Sequence, residues 1–129
     1  MPKYVSVYTS FGVPDIDAAR TFYRDILGLA VVDGQMGQLI IDLPGRGEVM
    51  VYPKPDHVPA TYTMLNLAVG DINAAADDLA AHGVEFTRYE GFEQDARGIA
   101  RSFSDEMGPD IAWFTDPAGN IIALLHDAG

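Results

Sequence analysis

Apolar and polar residues along the first part of the chain follow the pattern of one strand, one helix and three strands. A strand-like run, residues 4–10, comes first. Apolar residues from Ile16 to Leu27 then recur on one face of a helix. Asp15 stands at its N-cap and Gly28 at its C-cap. Three short strands are predicted after it, separated by glycine-containing turns, over residues 29–32, 38–42 and 48–52.

The same pattern returns in the second part of the chain. Residues 69–75 repeat residues 13–19, again after a strand-like run, here 62–68. Asp71 takes the N-cap position and Gly83 ends the second predicted helix. Strands are predicted for residues 84–88, 110–115 and 120–125.

The repeat predicts an α+β fold built from two βαβββ modules within one domain, residues 1–129. The first module spans residues 1–55 and the second spans residues 61–129. Residues 53–60, which contain three prolines, form a stiff linker between them.

The second module is longer than the first, and its extra residues fall in a polar segment, 89–109. A long irregular loop inside a compact domain usually covers a site or is disordered. We favour a lid over a site, with residues 99–103 as a candidate strand edge. Phe92 and Phe103 stand in this polar loop and either close over a ligand or pin the loop down.

The charge of the chain limits its partners. Asp and Glu total 19 against 8 Lys and Arg, giving a formal charge of −11. Such a surface repels nucleic acid and attracts cations, although acidity also serves solubility alone. The chain has no cysteine, and no apolar run approaches the roughly 20 residues of a membrane helix. The N-terminus has no signal-peptide pattern, so we expect a cytoplasmic protein without membrane partners.

Two strings carry a resemblance to a known family. The first helix contains Phe22-Tyr23 and ends in Leu27-Gly28-Leu29, and a late turn reads Asp116-Pro117-Ala118-Gly119-Asn120. Together with the internal repeat, they resemble the vicinal oxygen chelate superfamily, which includes glyoxalases, bleomycin resistance proteins and dioxygenases. The resemblance implies curved mixed sheets around a cavity, and a homodimer.

The resemblance also implies where metal ligands would stand. The corresponding positions here are Tyr8, Val51, Met64 and Ala123. Thioether, methyl and isopropyl groups offer a divalent ion no oxygen or nitrogen donor, and a phenol is a poor ligand at neutral pH. The histidines do not replace them, because His57 lies in the linker, His82 at a helix end and His126 on the opposite strand face. We therefore expect neither a metal nor another cofactor.

Alternation along the strands is expected to bring these four positions to one face, together with Asn66. Apolar walls with a few polar groups are typical of a ligand pocket, although a filled core has nearly the same composition. Trp113, the one tryptophan, either anchors a ligand or packs beneath the second helix. The predicted pocket comprises Tyr8, Val51, Met64, Asn66, Phe103, Trp113 and Ala123.

Three functions fit this pattern. The first is a metal-free protein that binds and sequesters a small cationic or aromatic molecule, as antibiotic-resistance members of the family do. The second is an enzyme, either a lyase, isomerase or dioxygenase-like one whose metal ligands are displaced from the usual positions, or a metal-free isomerase-like one. The third is a non-catalytic partner domain in which the cavity is closed.

Overall fold

The computed structural model describes residues 1–45, 47–101 and 108–127. It divides into two compact units, Met1–Val58 and Pro59–Gly129. The division falls inside the proline-rich segment 53–60. None of the helices in the described part of the chain has the length and apolar character needed to cross a membrane.

The first unit has the complete βαβββ order. Its strands and helix are β1 (Thr9–Val13), α1 (Ile16–Thr21), β2 (Ala30–Asp33), β3 (Leu39–Leu43) and β4 (Gly47–Pro53). The sheet order is β1-β4-β3-β2, with β1 parallel to β4 and the other pairs antiparallel.

The helix of the first unit is defined by its two ends. The Ala18 N–H donates to the Asp15 carboxylate (3.1 Å), which satisfies one of the free donors of the first turn. After α1 the chain continues as a π-helical turn, Phe22–Ile26. Gly28 has a φ of +72°, a left-handed conformation that favours glycine, and it lets the chain turn back towards β2.

The core of the first unit lies on one face of its sheet. Tyr23 is fully buried, and its ring lies 5.2 Å from that of Phe22 and 5.6 Å from that of Phe11. Burying each such side chain contributes about 1.5–3 kcal/mol. The buried apolar residues of this unit are Val13, Ala19, Phe22, Tyr23, Leu39, Ile41, Val49 and Val51.

The first strand lies later in the chain than predicted. It begins at Thr9 rather than at residue 4, because Thr9 already pairs with Val49, close to the start of β4 at Gly47. The preceding residues therefore have almost no partner strand left. Tyr8 lies outside the strand and is 60% exposed.

The prediction that Val51 shares a face with Tyr8 is wrong. In the observed register Ser10 pairs with Met50 and Phe11 pairs with Val51. Strand alternation therefore puts Val51 on the face of the buried core, opposite Ser10. Equating Gly47 with Gly119 makes Val51 the repeat equivalent of Ala123, but Ser10 pairs with Met50 as Asn66 pairs with Ala123, so the equivalent residue is Met50, one position earlier.

In its described residues, 59–101 and 108–127, the second unit has the same order without the strand predicted directly after the helix. Its elements are β5 (Thr63–Val69), α2 (Ile72–Ala81), β6 (Ile111–Thr115) and β7 (Ile121–His126). The sheet order is β5-β7-β6, with β5 parallel to β7 and β6 antiparallel to it. The buried apolar residues are Leu65, Ile72, Ala76, Leu79, Ile99, Ala112, Phe114, Ile122, Ala123 and Leu124. The α+β prediction with mixed sheets is confirmed.

The predicted strand 84–88 does not form. Two short stretches share the outer edge of β6 instead: the Thr87 N–H donates to the Trp113 carbonyl (2.7 Å), and Ala100 forms an isolated antiparallel bridge with Ile111. Neither stretch has enough of the edge to make a regular strand. The bridge falls within the candidate strand edge 99–103, of which residues 102 and 103 lie outside the described residues.

The turn between β6 and β7 is built around a buried carboxylate. Asp116 accepts hydrogen bonds from the backbone N–H of Ala118 (2.9 Å) and of Asn120 (2.8 Å). Its second oxygen accepts from the side-chain amide of Asn120 (2.9 Å). Gly119 closes the turn with a φ of +90°. The Asp-Pro-x-Gly-Asn string is therefore a structural element that fixes the hairpin.

Replacing Asp116 should destabilise the second unit. Asp116→Ala leaves the buried amide of Asn120 without this acceptor, at a cost of about 1–3 kcal/mol for each unsatisfied group. We expect a lower free energy of unfolding in chemical denaturation. The exposed Asp42→Ala is the control and should change it little. Equal stability of the two variants would contradict this role of Asp116.

Candidate functional site

An aromatic cluster lies on the open face of β6. The ring of Trp113 is 5.4 Å from Tyr89 and 5.3 Å from Phe92. On the other face Phe114 is fully buried and packs edge-on against Phe86 at 5.8 Å. Trp113 therefore does not belong to the buried face but lies beneath the loop that follows residue 88.

This loop and the start of β6 line an open cavity of about 1000 Å³ within the second unit. The volume is at the upper end of the range of about 300–1,000 Å³ found for small-molecule sites. The walls combine aromatic, aliphatic and charged side chains. The lining residues are Arg88, Tyr89, Gly91, Phe92, Glu93, Gln94, Asp95, Ile99, Ala100, Arg101, Pro109 and Ile111.

Gln94 holds the loop in shape through its side-chain amide. Its oxygen accepts from the Tyr89 N–H (2.9 Å). Its nitrogen donates to the carbonyls of Thr87 (2.9 Å) and Gly98 (2.7 Å). One side chain thus replaces the backbone ladder that a regular hairpin would supply, which fixes the position of Tyr89 at the cavity.

Asp95 fastens the second half of the loop. One carboxylate oxygen accepts from the N–H groups of Arg97 and Ile99, both at 2.9 Å. The other accepts from the guanidinium of Arg101 at 2.9 and 2.7 Å, and Arg101 also donates to Asp110 (3.3 Å). These bonds tie the described part of the predicted lid together as the wall of the cavity, and that the segment acts as a lid stays a prediction.

Burial and hydrogen bonding act in opposite directions on the Asp95 carboxylate. Partial burial raises its pKa, but the hydrogen bonds from the Ile99 N–H and from Arg101 outweigh it, and the pKa is lowered overall. The ionised form is therefore the one that the folded loop prefers.

Three predicted pocket residues lie side by side in the second sheet. Asn66 pairs with Ala123, and Ala123 pairs with Trp113 across the next strand. Asn66 is exposed, whereas Ala123 is fully buried between its neighbours. Met64 lies at a β-bulge between Thr63 and Leu65 and has no partner in the register. That this row contacts a ligand stays a prediction.

Two further predicted pocket residues belong to the first unit. Tyr8 precedes β1, and Val51 belongs to the core of the first unit. Phe103 lies outside the described residues. The residues that sequence reasoning missed, Arg88 and Tyr89 among them, lie in irregular backbone, where no periodicity predicts side-chain direction. The one sequence signal for a site at these residues was the long polar loop, in which Phe92 is an isolated aromatic residue.

Comparison with known proteins gives a family match over nearly the whole chain. The family description Glyoxalase/Bleomycin resistance protein/Dioxygenase superfamily matches residues 6–124. The chain belongs to this superfamily. No curated protein matches it.

Solved structures of similar fold include members of the same superfamily. One, from Sphaerobacter thermophilus, is 25% identical over 95% of this chain and 98% of its own, with a TM-score of 0.65. A protein from Bacillus anthracis assigned to the glyoxalase family is 18% identical over 98% and 99%, with a TM-score of 0.71. The fosfomycin resistance protein FosX from Listeria monocytogenes is 15% identical over 100% and 93%, with a TM-score of 0.69.

The metal that the superfamily implies does not fit the side chains at the positions expected to hold it. Those positions carry Tyr8, Val51, Met64 and Ala123, and Val51 faces the core. Within residues 1–45, 47–101 and 108–127, no three His, Asp or Glu side chains come together as a metal site. The absence of a metal in this superfamily member stays a prediction.

The stability that Asp95 contributes should depend on pH. Because its pKa is lowered in the folded protein, its contribution is present above the unfolded value near 3.9 and is lost as pH falls through the folded value. We expect Asp95→Asn to reduce the free energy of unfolding by about 2 kcal/mol at neutral pH, since hydrogen bonds to a charged group are lost.

The difference between wild type and Asp95→Asn should shrink as denaturation is repeated from pH 7 down to below pH 4. Glu85→Gln, an exposed variant outside the cavity lining, controls for the general effect of removing a charge. A wild-type to Asp95→Asn difference that stays constant over this range would contradict the account.

Proposed function

We propose that this protein binds a small organic molecule with an aromatic or cationic group in the cavity of its second unit and holds it without transforming it. The observation that supports this most is the open cavity whose wall carries Tyr89 and Phe92, whose rings contact Trp113 edge-on and at a tilt, respectively. Aromatic side chains around an open volume suit a flat ligand.

The exposure of Phe92 supports binding over a closed core. Its side chain is 57% exposed although it lies in a loop otherwise rich in polar residues. A ring left in water at a cavity wall gains contact area when a ligand covers it, at about 25 cal/mol for each Å² of apolar surface removed from water. A partner domain with a closed cavity would have no use for this arrangement.

The chemistry of the side chains favours binding without reaction. The positions expected for metal ligands carry no carboxylate or imidazole, and Gln94 and Asp95 in the wall already use their polar atoms to hold the loop. FosX, one of the similar structures, is a fosfomycin resistance protein. At 15% identity that likeness concerns the fold, so the proposal rests on the cavity.

Shortening Phe92 should weaken binding. We expect Phe92→Ala to reduce the affinity for a flat aromatic probe such as phenylacetamide by about tenfold, equivalent to roughly 1.4 kcal/mol of lost ring contact. Calorimetric titration measures the affinity, and quenching of Trp113 fluorescence provides an independent readout of binding at this site.

Tyr4→Ala removes an aromatic ring of similar exposure from the first unit and should leave the affinity unchanged. The proposal fails if phenylacetamide and its charged analogues phenylacetate and phenethylamine all give no heat and no change in fluorescence. The enzyme alternative would gain support if protein purified without chelators carried one equivalent of a transition metal.

A further inference from the structure

Four of the five arginines in the described residues are paired with carboxylates. Arg20 lies 2.6 Å from Asp17. Arg24 is bridged to its neighbour Asp25, Arg97 to Asp77 at 2.8 Å and Arg101 to Asp95 at 2.7 Å. Among the arginines in the described part of the chain, Arg88 alone has no carboxylate within ion-pair distance, and it lines the cavity.

Arg88 is nevertheless held in one orientation. Its Nη1 donates to the Gln94 carbonyl (3.2 Å) and its Nη2 to the Ala96 carbonyl (3.1 Å). A guanidinium has five N–H donors, so three are left: the one on Nε and one on each Nη. Carbonyl oxygens orient the group but do not neutralise its charge. The result is a restrained cation with spare donors at the cavity wall.

We propose that the ligand of this cavity carries a carboxylate or similar oxyanion, which Arg88 binds while the aromatic part of the ligand covers Phe92 and Tyr89. The inference rests on the proposed function and makes it more specific, since it assigns an aromatic acid where the net charge of the protein alone would favour a cation. Planar guanidinium groups bind carboxylates through two parallel hydrogen bonds.

Glu93 is the competing charge, because it also lines the cavity. Glu93 and Arg88 are both exposed, but the Glu93 side chain has no hydrogen bond or ion pair within the described residues, so ordering it on a ligand costs conformational entropy. Arg88 has already lost that freedom through its bonds to two backbone carbonyls. The restrained group is the better anchor, which favours the acid over the amine.

Three probes with the same ring separate the possibilities: phenylacetate, phenylacetamide and phenethylamine carry a negative charge, no charge and a positive charge. We expect wild type to bind phenylacetate at least about tenfold more tightly than phenylacetamide in calorimetric titration. Arg88→Gln should abolish this preference. Arg88→Lys should keep part of it, because it retains the charge without the planar pair of donors. Arg97→Gln, which removes an arginine bonded to Asp77 outside the cavity lining, should keep all of it.

The ratio of the two affinities is the readout, since a loosened loop in Arg88→Gln would weaken acid and amide alike. The inference is overturned if wild type binds phenylacetamide or phenethylamine as tightly as phenylacetate, or if the ratio survives in Arg88→Gln. If, in either case, Phe92→Ala still weakens binding of the probes, the proposed function is retained and only the role of Arg88 is rejected. No binding of any probe to wild type defeats both.

Discussion

The cavity depends on side-chain hydrogen bonds that replace a missing strand. Among the described residues of the second unit, the outer edge of β6 pairs at Thr87 and Ala100 only, so the segment between them has no ladder. Gln94 and Asp95 supply the lost bonds, because each accepts from backbone N–H groups across a turn of the loop. Irregular backbone buried without such partners would be costly. The open volume beside β6 exists because the loop is fixed away from it.

The side chains that take the place of backbone hydrogen bonds along β6 also determine where charge lies around the cavity. Arg101 forms ion pairs with Asp95 and Asp110, which stabilise the wall and neutralise its charge. Arg88 is engaged with carbonyls only, so the wall gains rigidity from it while its positive charge stays available. In a chain with a formal charge of −11, Arg88 lines the cavity without a carboxylate at ion-pair distance among the described residues.

Much of the fold could be predicted from the sequence because periodicity and capping act locally. Asp15 and Asp71 cap their helices as their positions indicate, and the buried Asp116 forms the turn that its string predicts. Register could not be predicted so well, since a one-residue shift moved Val51 from the open face to the core. The cavity could not be predicted from the sequence, because Tyr89 and Arg88 are oriented by hydrogen bonds between residues of an irregular loop.

Amide hydrogen exchange tests most directly whether the cavity wall is fixed by these side chains. The N–H groups of Tyr89 and Ile99 donate to Gln94 and Asp95 although they lie in no regular element. The account predicts that both exchange slowly, with protection close to that of the Ile111 N–H, which donates within the bridge at β6. Exchange of both amides at the rate of an unstructured peptide would contradict it.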